Sequence, residues 1–276
     1  MVHYRMATAI TFDTQSLPDR AVVGLSGDGI LSFLHNILTC SIENLDDGAV
    51  AYGALLSPQG KILHDMFVHR LGAVAHIDCD AGARDDLVQK LKLYRLRAKF
   101  EIVLREDLAV VVGAGVVEPR NALMGRRSIV PAGEYAAGTG YQTHRFALGI
   151  ADSAEIGVGK LFPHEANFDQ FGGVDFKKGC YIGQEVVSRM QHRATARSRI
   201  MPVMFENDQP ADENAIRAGD TMIGEILGRS GQRGLGLLRL DRLAEAQVPL
   251  TAGSQRVRVA KPGWMMAEIL IPAVAT

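Results

Sequence analysis

The chain has little of what would place it in a specialised structural class. Only three of its 276 residues are cysteine: Cys40, Cys79 and Cys180. An odd number at wide spacing excludes a disulfide framework and a self-contained zinc or cluster site, which needs grouped ligands. Charge of one sign is also missing. The formal net charge is -1, so no whole-molecule field draws the protein onto nucleic acid or anionic lipid. Electrostatic recognition must come from a local patch. No run approaches the ~18 uninterrupted apolar residues of a membrane span. The opening Met1-Val2-His3-Tyr4-Arg5-Met6 has no basic region leading into an apolar core. Together these absences predict a cytoplasmic, reduced protein without a membrane partner. Internal repeats and low-complexity tracts are absent too.

What is present is an ordinary globular composition, 47% hydrophobic and 22% charged, in a chain long enough for two or three domains. Ala21 to Leu25 reads as a strand. Ser26-Gly27-Asp28 then offers capping side chains to a helix carrying Ile30, Leu31, Leu34, Ile37 and Leu38. Ala49 to Leu56 and Ile62 to Leu71 flank Ser57-Pro58-Gln59-Gly60 as a hairpin, and Ala73 to Cys79 adds a strand. Arg84 to Arg97 is the clearest helix, with Asp85 and Asp86 in its first turn and cations at its end, an order that complements the helix dipole. Phe100 to Leu104 and Leu108 to Val112 follow as strands. This is an α+β pattern with an antiparallel sheet.

The middle, from about Val116 to Gly183, is glycine-rich and weakly periodic, with a short helix over Tyr141 to Leu148 and a long loop over Gly157 to Gly179. A helix resumes over Gln184 to His192. Beyond Ile200, short apolar segments at Ile200 to Phe205, Met222 to Leu227, Leu235 to Leu240, Val257 to Ala260 and Glu268 to Ile271 suggest a small antiparallel β-barrel. The expected domains are residues 1–198, divided internally between 110 and 140, and a barrel over 199–276.

Chemistry concentrates in Lys177-Lys178-Gly179-Cys180-Tyr181-Ile182-Gly183-Gln184-Glu185. A thiol beside ammonium groups and a helix N-terminus gains thiolate character. Gly179 and Gly183 permit turns that expose Cys180 and aim amide N–H groups at a ligand. The residues leave two readings open: a reactive or ligand-binding cysteine, or a small buried residue in a tight turn.

The string Lys178 to Glu185 resembles the signature of the YgfZ-like folate-binding family, relatives of the glycine-cleavage T-protein. Tyr141, Arg145 and Gly149-Ile150, then Pro163, Glu165 and Asn167, match two further elements of that family. Gly27-Asp28, Phe33-Leu34, Thr39, Leu56 to Lys61 and Tyr94 to Arg97 match its N-terminal half. The resemblance implies a T-protein-like module of antiparallel sheets plus a C-terminal barrel, ringing a central cavity. It implies tetrahydrofolate, or a one-carbon derivative, as cofactor. Partners would be iron–sulfur assembly factors or client iron–sulfur enzymes, with an indirect effect on tRNA modification. It places Cys180 as the key residue and Asp65, Arg145, Glu165, Lys178, Tyr181, Gln184, Glu185 and Arg189 at the folate.

Two departures bear on catalysis. Where the T-protein pattern has a carboxylate after its Arg-Leu, this chain has Ala147, and the Asp-Asp pair after the hairpin becomes His64-Asp65. Both remove hydrogen-bond acceptors or general acid–base groups and weigh against classical aminomethyl transfer, which stands as the alternative function. Asp65 could accept a hydrogen bond from a pterin; the plainer reading is an acid facing solvent from a half-buried strand. Arg189, Arg193 and Arg197 would share a face if the helix ran on, forming an anion site for a folate tail or RNA phosphates. An RNA-binding or scaffold protein is therefore a further alternative. No metal site is expected, and Trp264 is assigned to the barrel core.

Overall fold

The computed structural model describes residues 13–138, 140–193, 196–266 and 269–276. The chain opens with strands Gln15–Ser16 (β1) and Arg20–Ser26 (β2) and helix Ile30–Ile37 (α1). Strands Val50–Leu56 (β3), Ile62–Leu71 (β4) and Val74–Asp80 (β5) precede helix Arg84–Arg95 (α2). Glu101–Leu104 (β6) and Leu108–Val117 (β7) follow, then Arg126–Pro131 (β8), Ala136–Ala137 (β9) and the short helices Tyr141–Ala147 (α3) and Ser153–Ile156 (α4). Helix Gln184–Arg193 (α5) leads into Ser198–Phe205 (β10), Ala215–Ala218 (β11), Thr221–Ser230 (β12), Arg233–Arg239 (β13), helix Leu240–Ala244 (α6), Leu250–Ala252 (β14) and Gln255–Val259 (β15).

The first sheet has the order β3-β4-β5-β2-β6 and the second β8-β7-β1-β9, while β10-β13-β12-β11-β14-β15 closes into a barrel. Among the described residues all strand pairings are antiparallel except β1 with β9. The α+β fold of antiparallel sheets with a C-terminal barrel is therefore observed. The hairpin around Ser57 to Gly60 and helix α2 form where periodicity places them. Strands β8, β11 and β14 were not read from the sequence. The capping expected of Ser26 and Asp28 does not occur: the N-cap position of α1 is Gly29, φ 80°, with no side-chain cap. Of the expected segment Glu268 to Ile271, Glu268 lies outside the described residues, and 269–271 carry no strand.

Alternation in β4 divides the first sheet between two cores. Met66 and Val68 join the helix-side cluster with Leu34, Ile77, Leu87 and Leu91. Phe67 faces the other way, into a cluster with Val110, Phe146, Ile200 and Leu235 that ties both sheets to the barrel. Trp264 belongs to this junction as well as to the barrel cluster. Its ring lies 4.5 Å from that of Phe171 and its Nε1 donates to the Leu148 carbonyl at 2.7 Å. It is thus a strap between barrel and module, not solely a barrel-core residue.

Candidate functional site

On the Phe67 face, Asp65 and Asp78 enter the junction beneath arginines from elsewhere in the chain. Arg20 reaches Asp78 Oδ1 at 2.6 Å and Arg127 reaches Oδ2 at 2.5 Å. Arg120 pairs with Glu118 at 2.7 Å and Asp152 at 2.5 Å. Arg145 pairs with Glu155 at 2.6 Å and with Asp152 at 3.1 Å. The guanidinium of Arg127 lies 4.1 Å and that of Arg120 4.8 Å from the Phe67 ring centroid. Burial alone would raise the carboxyl pKa values, but the guanidiniums dominate and hold Asp78 and Asp152 below the ordinary carboxylate range.

Asp65 is different. It is 2% exposed, so the solvent-facing reading is corrected. Its Oδ1 accepts from the Ser153 hydroxyl at 2.5 Å, but Oδ2 is buried without a partner among the described residues. Burial pushes its pKa up. Asp65 lines a cavity of about 150 Å³ together with His64, Asp80 and Ser153. His64 itself pairs with Asp86 at 2.8 Å.

The Cys180 loop is built by a second set of contacts. Thr39 Oγ1 donates to the Gly173 carbonyl at 2.5 Å, and the Asp175 N–H donates to the Thr39 carbonyl at 2.9 Å. Asp175 Oδ1 then accepts from the Lys177 and Lys178 N–H groups at 2.8 and 3.2 Å. Lys178 Nζ donates to the carbonyls of His35, Leu38 and Cys40 at the end of α1. Burial lowers its pKa to about 8. Gly183, at φ 80°, packs on the hairpin turn so closely that a Cβ there would meet the Ser57 carbonyl at 2.6 Å. Between these anchors Cys180 is exposed, whereas Cys40 and Cys79 are buried. Exposure sets aside the reading of Cys180 as a small buried residue. Tyr181 is 7% exposed, and its hydroxyl has no partner among the described residues. Burial pushes its pKa up to about 12.

The expected site residues fall into separate groups. Lys178, Tyr181 and Gln184 share the Cys180 segment, with Gln184 Nε2 reaching the Gly179 carbonyl at 3.4 Å. Asp65 and Arg145 meet the junction through Ser153 and Asp152. Glu165 accepts from the Phe162 N–H at 2.8 Å, 3.8 Å from Lys61 Nζ. Glu185 and Arg189 pair with each other on the exposed side of α5. The arginine row does not form: α5 ends at Arg193, whose side chain lies outside the described residues, and Arg197 follows the helix. Arg199 turns inward to Asp169 at 2.8 Å. Sequence reasoning missed the lattice of Arg20, Asp78, Glu118, Arg120, Arg127 and Asp152.

Similarity to known proteins bears on this arrangement. Residues 197–267 match the family described as CAF17, C-terminal beta-barrel domain. The glycine cleavage system aminomethyltransferase T from Bartonella henselae shares the fold, with TM-score 0.73 over 91% of this chain and 86% of that one, at 13% identity. An iron–sulfur cluster assembly factor IBA57 homolog, mitochondrial, from Phaeosphaeria nodorum is 31% identical over 90% of this chain and 75% of its own length. The chain belongs to the IBA57 family. The Pyricularia oryzae member is 28% identical over 85% of this chain and 73% of its own. The chain spans 54% to 73% of the length of the Pyricularia oryzae, Mycosarcoma maydis, Chaetomium globosum and Neurospora crassa relatives. These relatives are named as mitochondrial proteins, which overturns the cytoplasmic location expected from the sequence.

Proposed function

We propose that this chain is a YgfZ-like, tetrahydrofolate-binding member of the IBA57 family that assists assembly or repair of iron–sulfur enzymes through the thiol of Cys180. The observation that carries this reading is the exposure of Cys180 on a loop pinned at both ends, while the other two cysteines are buried. A posed, accessible thiol suits transient ligation of a cluster carried as cargo. One cysteine supplies one ligand of a four-thiolate cluster, so a partner assembly factor, a client enzyme or glutathione completes the set. Effects on tRNA modification follow where the client modifies tRNA. In this reading residues 1–198 form the folate-binding module and 199–276 the barrel.

Tetrahydrofolate, or a one-carbon derivative, is the group the T-protein fold implies, and Asp65 suits it. A buried carboxylate oxygen without a donor complements the N–H groups of a pterin edge. The Tyr181 hydroxyl is a second unsatisfied group. Arg145, Glu165 and Lys178 are held by internal bonds and shape the walls, while Gln184, Glu185 and Arg189 open α5. Bound folate would supply a one-carbon carrier.

The test replaces Cys180 with Ser in cells lacking the native gene and measures the activity of iron–sulfur enzymes. Loss of activity at normal protein level is expected; full activity rejects the role of the thiol. Folate binding is checked separately by thermal shift. Tetrahydrofolate at 100 times its dissociation constant should add about 2.7 kcal/mol, and no shift at saturation removes the folate part of the reading.

A further inference from the structure

The far end of α2 carries two leucines that the fold leaves uncovered. Leu93 is 68% exposed and Leu96 84%, whereas Leu87 and Leu91 of the same helix are fully buried. The helix stops at Leu96, whose backbone sits at φ 53°, ψ -111°. A residue with a Cβ adopts that region only at a cost. The strained backbone thus holds a large apolar side chain outward.

Cations ring these leucines. Lys92, Arg97 and Lys99 are exposed and make no ion pair among the described residues. Arg95 turns inward, donating to the Phe100 carbonyl at 2.7 Å, and Lys90 pairs with Asp86 one turn back. The chain has no Asp or Glu between Asp86 and Glu101. This is the local patch that a net charge near zero conceals.

We propose that the end of α2 docks on the anionic surface of a lipid bilayer, with Leu93 and Leu96 entering the interface and Lys92, Arg97 and Lys99 meeting the headgroups. A protein partner would need about 800 Å² on each side and pockets to receive its anchors. Neither leucine lines the cavities beside Asp65, Arg199 and Phe205. A bilayer interface takes apolar side chains to a depth of about 5–10 Å without shape complementarity, and anionic lipid adds attraction for each nearby cation. Such docking needs no spanning segment, and no helix among the described residues is long and apolar enough to cross a membrane. It is independent of Cys180.

The experiment is co-sedimentation of the full chain with vesicles of phosphatidylcholine mixed with phosphatidylglycerol, and with vesicles of phosphatidylcholine alone. Wild type should sediment with the mixed vesicles, less at high salt, and not with the neutral ones. The double variant Leu93→Glu/Leu96→Glu should partition about tenfold less or weaker. So should Lys92→Gln/Arg97→Gln/Lys99→Gln. Both keep the wild-type circular dichroism because every changed residue is exposed, and Cys180→Ser should sediment like wild type. Equal binding to neutral vesicles, undiminished binding of the leucine variant, or no sedimentation at all overturns the proposal. Salt-sensitive retention of a poly(U) RNA without vesicle binding does so too.

Discussion

The arginine lattice beneath the first sheet and the loop that bears Cys180 are both assembled from charged groups, yet they end in opposite conditions. In the lattice, Arg20, Arg120, Arg127 and Arg145 are matched to Asp78, Glu118, Asp152 and Glu155 out of reach of water. Each charge has an opposite charge in reach inside, although Arg127 Nη2 has no hydrogen-bond partner among the described residues. In the loop, the ammonium of Lys178 and the carboxylate of Asp175 are consumed by backbone groups. Their work is to hold a neighbour that takes no part in the bonding. The lattice closes a charge network between the sheets, and the loop supplies access. Asp65 lies between the two conditions, buried like the lattice but with one oxygen unanswered.

Substitutions at the two places should separate these roles. Arg127→Ala is expected to have the largest effect. It leaves Asp78 with half its compensation in a site closed to water and should cost about 3–5 kcal/mol, read from the urea midpoint at unchanged slope. A cost under 1 kcal/mol would show that water enters the lattice.

The pH dependence follows from the same carboxylates. Asp78 and Asp152 have folded pKa values below the ordinary 3.8. Their contribution to stability is complete above that value and is lost as pH falls through the lower folded values. Their share should therefore hold from neutrality to about pH 5 and drop only below about pH 4. Burial of His69, whose pKa is lowered to about 4, instead takes stability away from about pH 6.5 downward. Arg127→Ala should move the acid transition upward, as urea titrations across this range would show.

Lys178→Met removes three bonds to carbonyls at the end of α1 and should cost about 1–3 kcal/mol. Hydrogen exchange should show faster opening of residues 175–183 with the barrel unchanged. Asp65→Asn should change sign. The raised pKa means that the charged form opposes folding, so a neutral amide should stabilise by about 1 kcal/mol while abolishing the thermal shift with tetrahydrofolate. Cys180→Ser should alter stability least, within about 0.5 kcal/mol. A large loss there would make the thiol part of the packing and erase the contrast between lattice and loop.

Local order was well signalled in the sequence, and long-range charge pairing was not. The hairpin through β3 and β4 shows in its turn residues, and α2 in its apolar spacing and charge order. Both are set by neighbours within one turn or one strand. The lattice joins residues 58 and 49 positions apart, Arg20 and Arg127 each with Asp78. A lone arginine in a glycine-rich stretch reads as a surface residue. Strand β8 escaped notice for the same reason, since Arg126-Arg127-Ser128 hides a pairing with β7. Within the site, Cys180 and its glycines were visible because they are contiguous. The burial of Asp65 was invisible because Arg20, Arg120 and Ser153, which surround it, come from distant parts of the chain.

Trp264 is the chain's one tryptophan, and its hydrogen bond to the Leu148 carbonyl and contact with Phe171 put it on the seam between barrel and module. The protein thereby carries its own optical gauge of that seam. Excitation of the indole reports barrel docking, and a red-shifted emission that precedes loss of the circular dichroism signal would reveal a barrel that swings free before either part melts.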